Sequence, residues 1–235
     1  MFIAKSLAVL VLMLMHYAAS ELKFIDRLPR TRWLSFAGGV GTAYVFLELL
    51  PELDDIAAIL REHSGESLGI FQDAIWMVAL LGLLVYYGLE KVSQRQPNTQ
   101  TLFWVNIMTF SVYNGLIGYL LIIETYTVAS LILYVTGLGL HFLVNDHGLK
   151  ERFEKDYRTK GRWILVTAIA AGSAYGAFFN MDELFIGFAI AFTAGGIVLN
   201  TFKEEIPANK DSAYSVFIGG ALLYASIILV YVAYL

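Results

Sequence analysis

Polar residues stand inside otherwise apolar stretches of this sequence at Glu48, Asn114, His141, Asn145, Asp146, Asn200 and Glu204. If those stretches lie in a bilayer, an ionisable group there costs about 2.5–3.5 kcal/mol even on the lenient scale, and so points to function by default. His141 and Asn145 are four residues apart and share a helix face, as do Asn200 and Glu204. Ordered by depth, Glu48 is outer, Asn114 central, His141 and Asn200 inner-central, and Asn145, Asp146 and Glu204 inner. Carboxylates, amide oxygens and one imidazole suit a hard or borderline divalent cation, or a proton relay. The plainer chemistry for Asn114 and Asn200 is interhelical hydrogen bonding. His16 and His147, at the ends of their runs, read as interfacial.

The elements that position these residues follow from composition. The chain has 235 residues, 58% hydrophobic and only 15% charged. Soluble domains run about 45–50% apolar and about 25% charged. An ordinary cytosolic globule, a disordered chain and a disulfide-stapled secreted domain are excluded. With no cysteine there is no thiolate zinc site and no Fe–S cluster. A net charge of −4 gives no reason to expect a nucleic-acid partner. A multi-pass membrane protein remains, with the lipid bilayer as its main partner.

A bilayer core takes about 20 apolar residues as helix. Suitable runs span residues 2–19, 33–50, 69–89, 101–123, 128–144, 163–179, 184–202 and 213–235. The fold class is therefore all-α, with eight transmembrane helices. The longest connections fall at 51–68, 90–100 and 145–162. The first run also has the small Ala18, Ala19 and Ser20 of a signal peptide, and is read as a helix.

The basic residues set the orientation. Lys23, Arg27, Arg30 and Arg32 lie between the first two runs, and Lys91 and Arg95 between the third and fourth. Lys150, Arg152, Lys155, Arg158, Lys160 and Arg162 follow the fifth, and Lys203 and Lys210 follow the seventh. The opposite side holds only Lys5 and Arg61. The positive-inside rule puts both termini outside, in a plasma (inner) membrane. The outer 51–68 connection is acidic, with Glu52, Asp54, Asp55, Glu62 and Glu66. It reads as a solvated loop or as a funnel for cations.

The sequence also repeats. Ala37-Gly38-Gly39 and Glu48 in the second run match Ala194-Gly195-Gly196 and Glu205 in the seventh at an offset of 157, with Pro51 and Pro207 out of register by one. The two copies run in opposite directions through the membrane. Inverted repeats are a construction principle of secondary transporters, with the site near mid-membrane. Chance is the competing explanation, since small residues are common where membrane helices touch.

These features resemble the ZIP family of divalent-metal transporters. Phe36-Ala37-Gly38-Gly39 leading to Glu48-Leu49-Leu50-Pro51-Glu52 is similar to the family's Ala-Gly-Gly run ending in His-x-x-Pro-Glu, with Glu48 in place of the histidine. Glu204-Glu205-Ile206-Pro207 resembles its acid-x-x-Pro element. Asn114-Gly115 stands where the family has an acid followed by glycine. His141 and Asp146 match the first and last ligands of its fifth-helix motif. The resemblance implies one membrane domain over 1–235, with a helix triad at 1–90, a central pair at 100–147 and an inverted triad at 162–235. It implies a cation path through Asn114, His141, Asn145, Asp146, Glu48, Asn200 and Glu204. Zinc, iron or manganese would be the transported substrate, and the protein would form a homodimer. A transporter of the same fold for protons or a small solute is the alternative. Four histidines, poorly placed for one centre, argue against an intramembrane zinc hydrolase, so no enzyme is expected.

Overall fold

The structure is a computed structural model that describes residues 1–19, 30–64, 74–95, 99–202 and 213–233; nearly all of these are helical, with short irregular connections at 124–127 and 179–182 and no strand among them. The chain runs α1 (Phe2–Ala19), α2 (Arg30–Tyr44), a π segment (Val45–Leu49), α3 (Leu50–Ser64), α4 (Ala74–Arg95) and α5 (Thr99–Ile123). It continues through α6 (Val128–Asp156), a second π segment (Tyr157–Gly161), α7 (Arg162–Phe178), α8 (Glu183–Asn200) and α9 (Tyr214–Ala233). Where they are described, the apolar runs of the sequence fall on helices.

Two expected connections are helical instead. Residues 51–64 continue the second run as α3, because Leu53, Ala57 and Leu60 recur at helical spacing and are buried. Asp54 and Asp55 point outward from that stripe and are exposed. Similarly, α6 does not stop near Val144. Leu149, Phe153 and Tyr157 are four apart and buried, while Glu151, Arg152, Glu154 and Lys155 face out. The helix bends where Phe153 leaves helical geometry (φ −133°, ψ 37°) and passes through the π segment directly into α7.

Among the described residues, five helical stretches are long and apolar enough to cross a bilayer: Phe2–Ala19, Ala74–Val92, Gln100–Ile123, Val128–Phe178 and Tyr214–Ala233. Val128–Phe178 has 51 residues, more than twice the length of one crossing of about 20. Leu184–Asn200 is a shorter apolar helix. Their outer faces are apolar too. Leu7, Leu10 and Leu14 on α1, Leu80, Leu81 and Leu84 on α4, and Leu222, Leu223 and Leu229 on α9 are all exposed. Helices apolar on the outside as well as the inside belong in lipid. The protein is an all-helical membrane protein.

Glycines set the closest helix pairs. α2 packs along α9, α4 along α8, and α5 along α7. A Cβ on Gly39 would fall on the Phe217 carbonyl, and one on Gly220 on the Phe36 carbonyl. On the second pair, Gly195 meets the Ala79 carbonyl and Gly82 meets the Phe192 carbonyl. The two contacts are built alike. Phe36 and Gly39 on α2 lie 156 residues before Phe192 and Gly195 on α8, and Ala79 and Gly82 on α4 lie 138 before Phe217 and Gly220 on α9. The contacts recur at 156, one less than the offset of the Ala-Gly-Gly match. π geometry also starts at residue 45 and again at residue 201, the same offset. α1 completes the core against α6 and α7.

Candidate functional site: three polar groups

The first group joins α1, α5 and α6. His16 is fully buried, and its ring stacks on Phe142 with centroids 4.4 Å apart. Its Nδ1 lies 2.6 Å from Asp146 Oδ2, and its Nε2 lies 2.8 Å from Asn114 Oδ1. The Asn114 amide nitrogen donates to the Phe110 carbonyl at 2.7 Å, which fixes Oδ1 toward the histidine. Asp146 and Asn114 are also fully buried. Asp146 Oδ1 has no hydrogen-bond partner. The Tyr157 hydroxyl donates to the His16 carbonyl at 3.4 Å and faces Asp146.

The second group lines a cavity of about 310 Å³ between α4, α5, α6 and α8. Asn200 donates to Asn145 Oδ1 at 3.5 Å. Asn106 donates to the Leu102 carbonyl at 2.8 Å, which leaves its amide oxygen for the cavity. Glu90 faces the same space and pairs with Arg152 at 3.7 Å. This pair is partly exposed, so it contributes little to stability.

The third group is rich in tyrosine. Glu48 on the π segment faces Tyr224 on α9, whose hydroxyl donates to the Leu133 carbonyl at 3.4 Å. Glu52, on α3, lines a small cavity with Tyr44, Tyr134 and Thr193. Tyr126 and Tyr134 pack at 5.4 Å between ring centroids. Lys5 donates at 2.6 Å to the carbonyls of both Ile122 and Glu124, closing the C-terminal end of α5.

The path expected from the sequence is thus divided. Asn114 and Asp146 are brought together, through His16. Asn145 and Asn200 meet at the cavity, and Glu48 stands with Tyr224. His141 is buried, with Tyr113 and Phe142 among its ring neighbours. Glu204 lies outside the described residues, together with Lys203, Glu205 and Pro207. Among the described residues no three or more His, Cys, Asp or Glu side chains group so as to hold a metal ion. Two participants escape a reading of the sequence. His16 reads there as interfacial, yet it is the hub of the first group. Glu90 sits beside Lys91 at the end of its run and resembles an ordinary boundary charge.

The protein-family models contain no match to this chain, and neither do the curated proteins.

In chemical terms, the first group can hold a proton and the cavity can offer carboxylate and amide oxygens to a cation. The third group places two carboxylates among hydroxyls.

Proposed function

We propose that this chain is a ZIP-like multi-pass transporter, built as an inverted repeat, that moves a divalent metal cation. The observation that carries this reading is the equivalence of the α2–α9 and α4–α8 contacts at constant offsets. Exchanging α1 with α7, α2 with α8, α4 with α9 and α5 with α6 converts each tight pair into another. α1–α6 becomes α7–α5, and α2–α9 becomes α8–α4. Such exchange is expected of two halves related by a two-fold axis in the membrane plane. The 156 offset equates Glu48 with Glu204 and Pro51 with Pro207, the two acid-x-x-Pro elements. The eight-helix count and the placement of both termini outside complete this reading.

The two halves are not in the same state. α2 packs along α6, whereas its counterpart α8 barely meets α5, and the 310 Å³ cavity opens there. The cavity lies toward the basic end of α6, which the positive-inside rule places in the cytoplasm. On this reading the cavity belongs to the inward-facing form of the transporter. In the outward-facing form α8 closes on α5 and α2 parts from α6. The cation enters the cavity by displacing Arg152 from Glu90, and Glu90, Asn106 and Asn200 supply its oxygens. Oxygen donors of mixed charge favour hard or borderline ions such as manganese over zinc.

The amide lining of the cavity, with Asn106, Asn145 and Asn200, favours the second reading, protons or a small solute on the same scaffold. Purified protein in liposomes separates the two. Uptake of manganese, iron or zinc that falls at least tenfold in Glu90→Gln supports the metal. Solute or proton flux with no metal uptake supports the alternative.

A further inference from the structure

Glu52 stands among charges of its own sign. It is the first acid of the outer connection, lies in the first turn of α3 and is half-buried. The charges that act on it most strongly, Glu124, Glu48 and Asp55, are all carboxylates. The ammonium of Lys5, at the same outer end, is engaged with the carbonyls of Ile122 and Glu124. Like charges around a carboxylate that is partly out of water disfavour the anion unless a cation joins it.

A second, independent feature borders the same space. Glu52 lines a cavity of about 30 Å³ together with Thr193 on α8, Tyr44 on α2 and Tyr134 on α6. Thr193 is only 5% exposed, and its hydroxyl has no hydrogen-bond partner among the described residues. Elsewhere in the bundle Thr109, Thr136 and Thr167 each donate to the carbonyl four residues earlier. Thr193 makes no such bond, and a buried hydroxyl left open asks for a ligand to meet it. The rest of the wall, Leu120 and Ile190 included, is apolar.

We infer that this cavity binds one monovalent cation, sodium, between the Glu52 carboxylate and the hydroxyl oxygens of Thr193, Tyr44 and Tyr134. Its volume admits one or two water-sized bodies. Carboxylate and hydroxyl oxygens are the donors a hard cation takes. The charge count selects the class. Glu52 is the one carboxylate in the described wall, so a monovalent ion brings the cavity to neutrality. A divalent ion would leave a surplus charge against apolar side chains. A water would satisfy the hydroxyls and leave the carboxylate uncompensated. Glu48, Glu124 and Asp55 stay outside the wall and draw cations toward it.

This site differs from the cytoplasmic cavity of Glu90 and Asn200 in place and in charge class, and it does not depend on the cargo. Glu52 continues the α2 arm and Thr193 belongs to α8, so an ion held by both ties those helices together.

The test uses the full-length protein in detergent. Thermal unfolding is followed as sodium chloride replaces choline chloride at constant ionic strength, and bound sodium is counted with sodium-22. The expected result is a saturable rise in the unfolding midpoint, with one sodium bound per chain. Glu52→Gln and Thr193→Val should each weaken binding by about tenfold or more, of the size seen when a metal site loses one supporting group. Thr193→Ser, which keeps the hydroxyl, should retain it. No saturable effect of sodium on the unaltered protein, or binding unchanged in Glu52→Gln, would overturn the inference. Tighter binding of manganese at the same residues would also overturn it, because the cavity would then belong to the cargo path. If a variant fails to fold, the titration of the unaltered protein decides. Sodium binding without metal uptake would remove the transport reading alone, and metal uptake without sodium binding would remove this site alone.

Discussion

Phe46 and Phe202 meet edge to face with ring centroids 6.4 Å apart. Each is the second residue of a π stretch, and they lie 156 residues apart, at the same offset as Gly39 and Gly195. On the proposed two-fold they are equivalent, so their contact lies on the axis. π turns inside α-helices often mark functional positions. Here the first of them, Val45–Leu49, carries Glu48.

The glycine contacts give a paired expectation. Gly39→Val and Gly195→Val each push a side chain into a facing backbone carbonyl. Overpacking of this kind costs about 1–3 kcal/mol. Thermal unfolding in detergent should show losses of similar size, because the contacts are equivalent. A loss in one and none in the other would argue against equivalence.

The His16–Asp146 pair should show the asymmetry of buried ion pairs. Replacing one partner with alanine leaves the other uncompensated, at about 3–5 kcal/mol. The double replacement His16→Leu/Asp146→Leu should cost less than either single change. Chemical denaturation of all three variants in one detergent measures this. Additive losses would mean the residues are not coupled.

Lys5 should act as a remote cap. Its two 2.6 Å bonds satisfy carbonyls at the end of α5 that the helix cannot. Lys5→Met should destabilise the protein by about 1 kcal/mol. Hydrogen exchange should rise first near Ile122 and Glu124.

Sidedness can be read directly, because the chain has no cysteine of its own. Asp54→Cys and Glu154→Cys each add a single exposed thiol. In intact cells a membrane-impermeant maleimide should label the first and not the second. The reverse pattern would invert the assignment.

Much of this architecture was legible beforehand, for reasons that particular residues show. The apolar runs place the helices because lipid demands one composition over about 20 residues. The extension through α3 is harder to see, since Glu52, Asp54 and Asp55 mask the Leu53–Ala57–Leu60 stripe in any average. The Ala-Gly-Gly match gives an offset of 157, whereas the glycine contacts recur at 156, a register that only the packing reveals. Asn114 and Asp146 stand out as polar groups deep in runs. His16 does not, because a lone histidine one turn from a helix end looks the same whether it meets water or Asp146. Its role depends on a partner 130 residues away in the chain.

The most direct test of the transport account is flux of manganese, iron and zinc into liposomes holding the purified protein, with Glu90→Gln and Glu48→Gln alongside. The account predicts saturable uptake of at least one of these cations, reduced at least tenfold in both variants while their folding is unchanged. No uptake of any of the three, or uptake that neither variant alters, would contradict it.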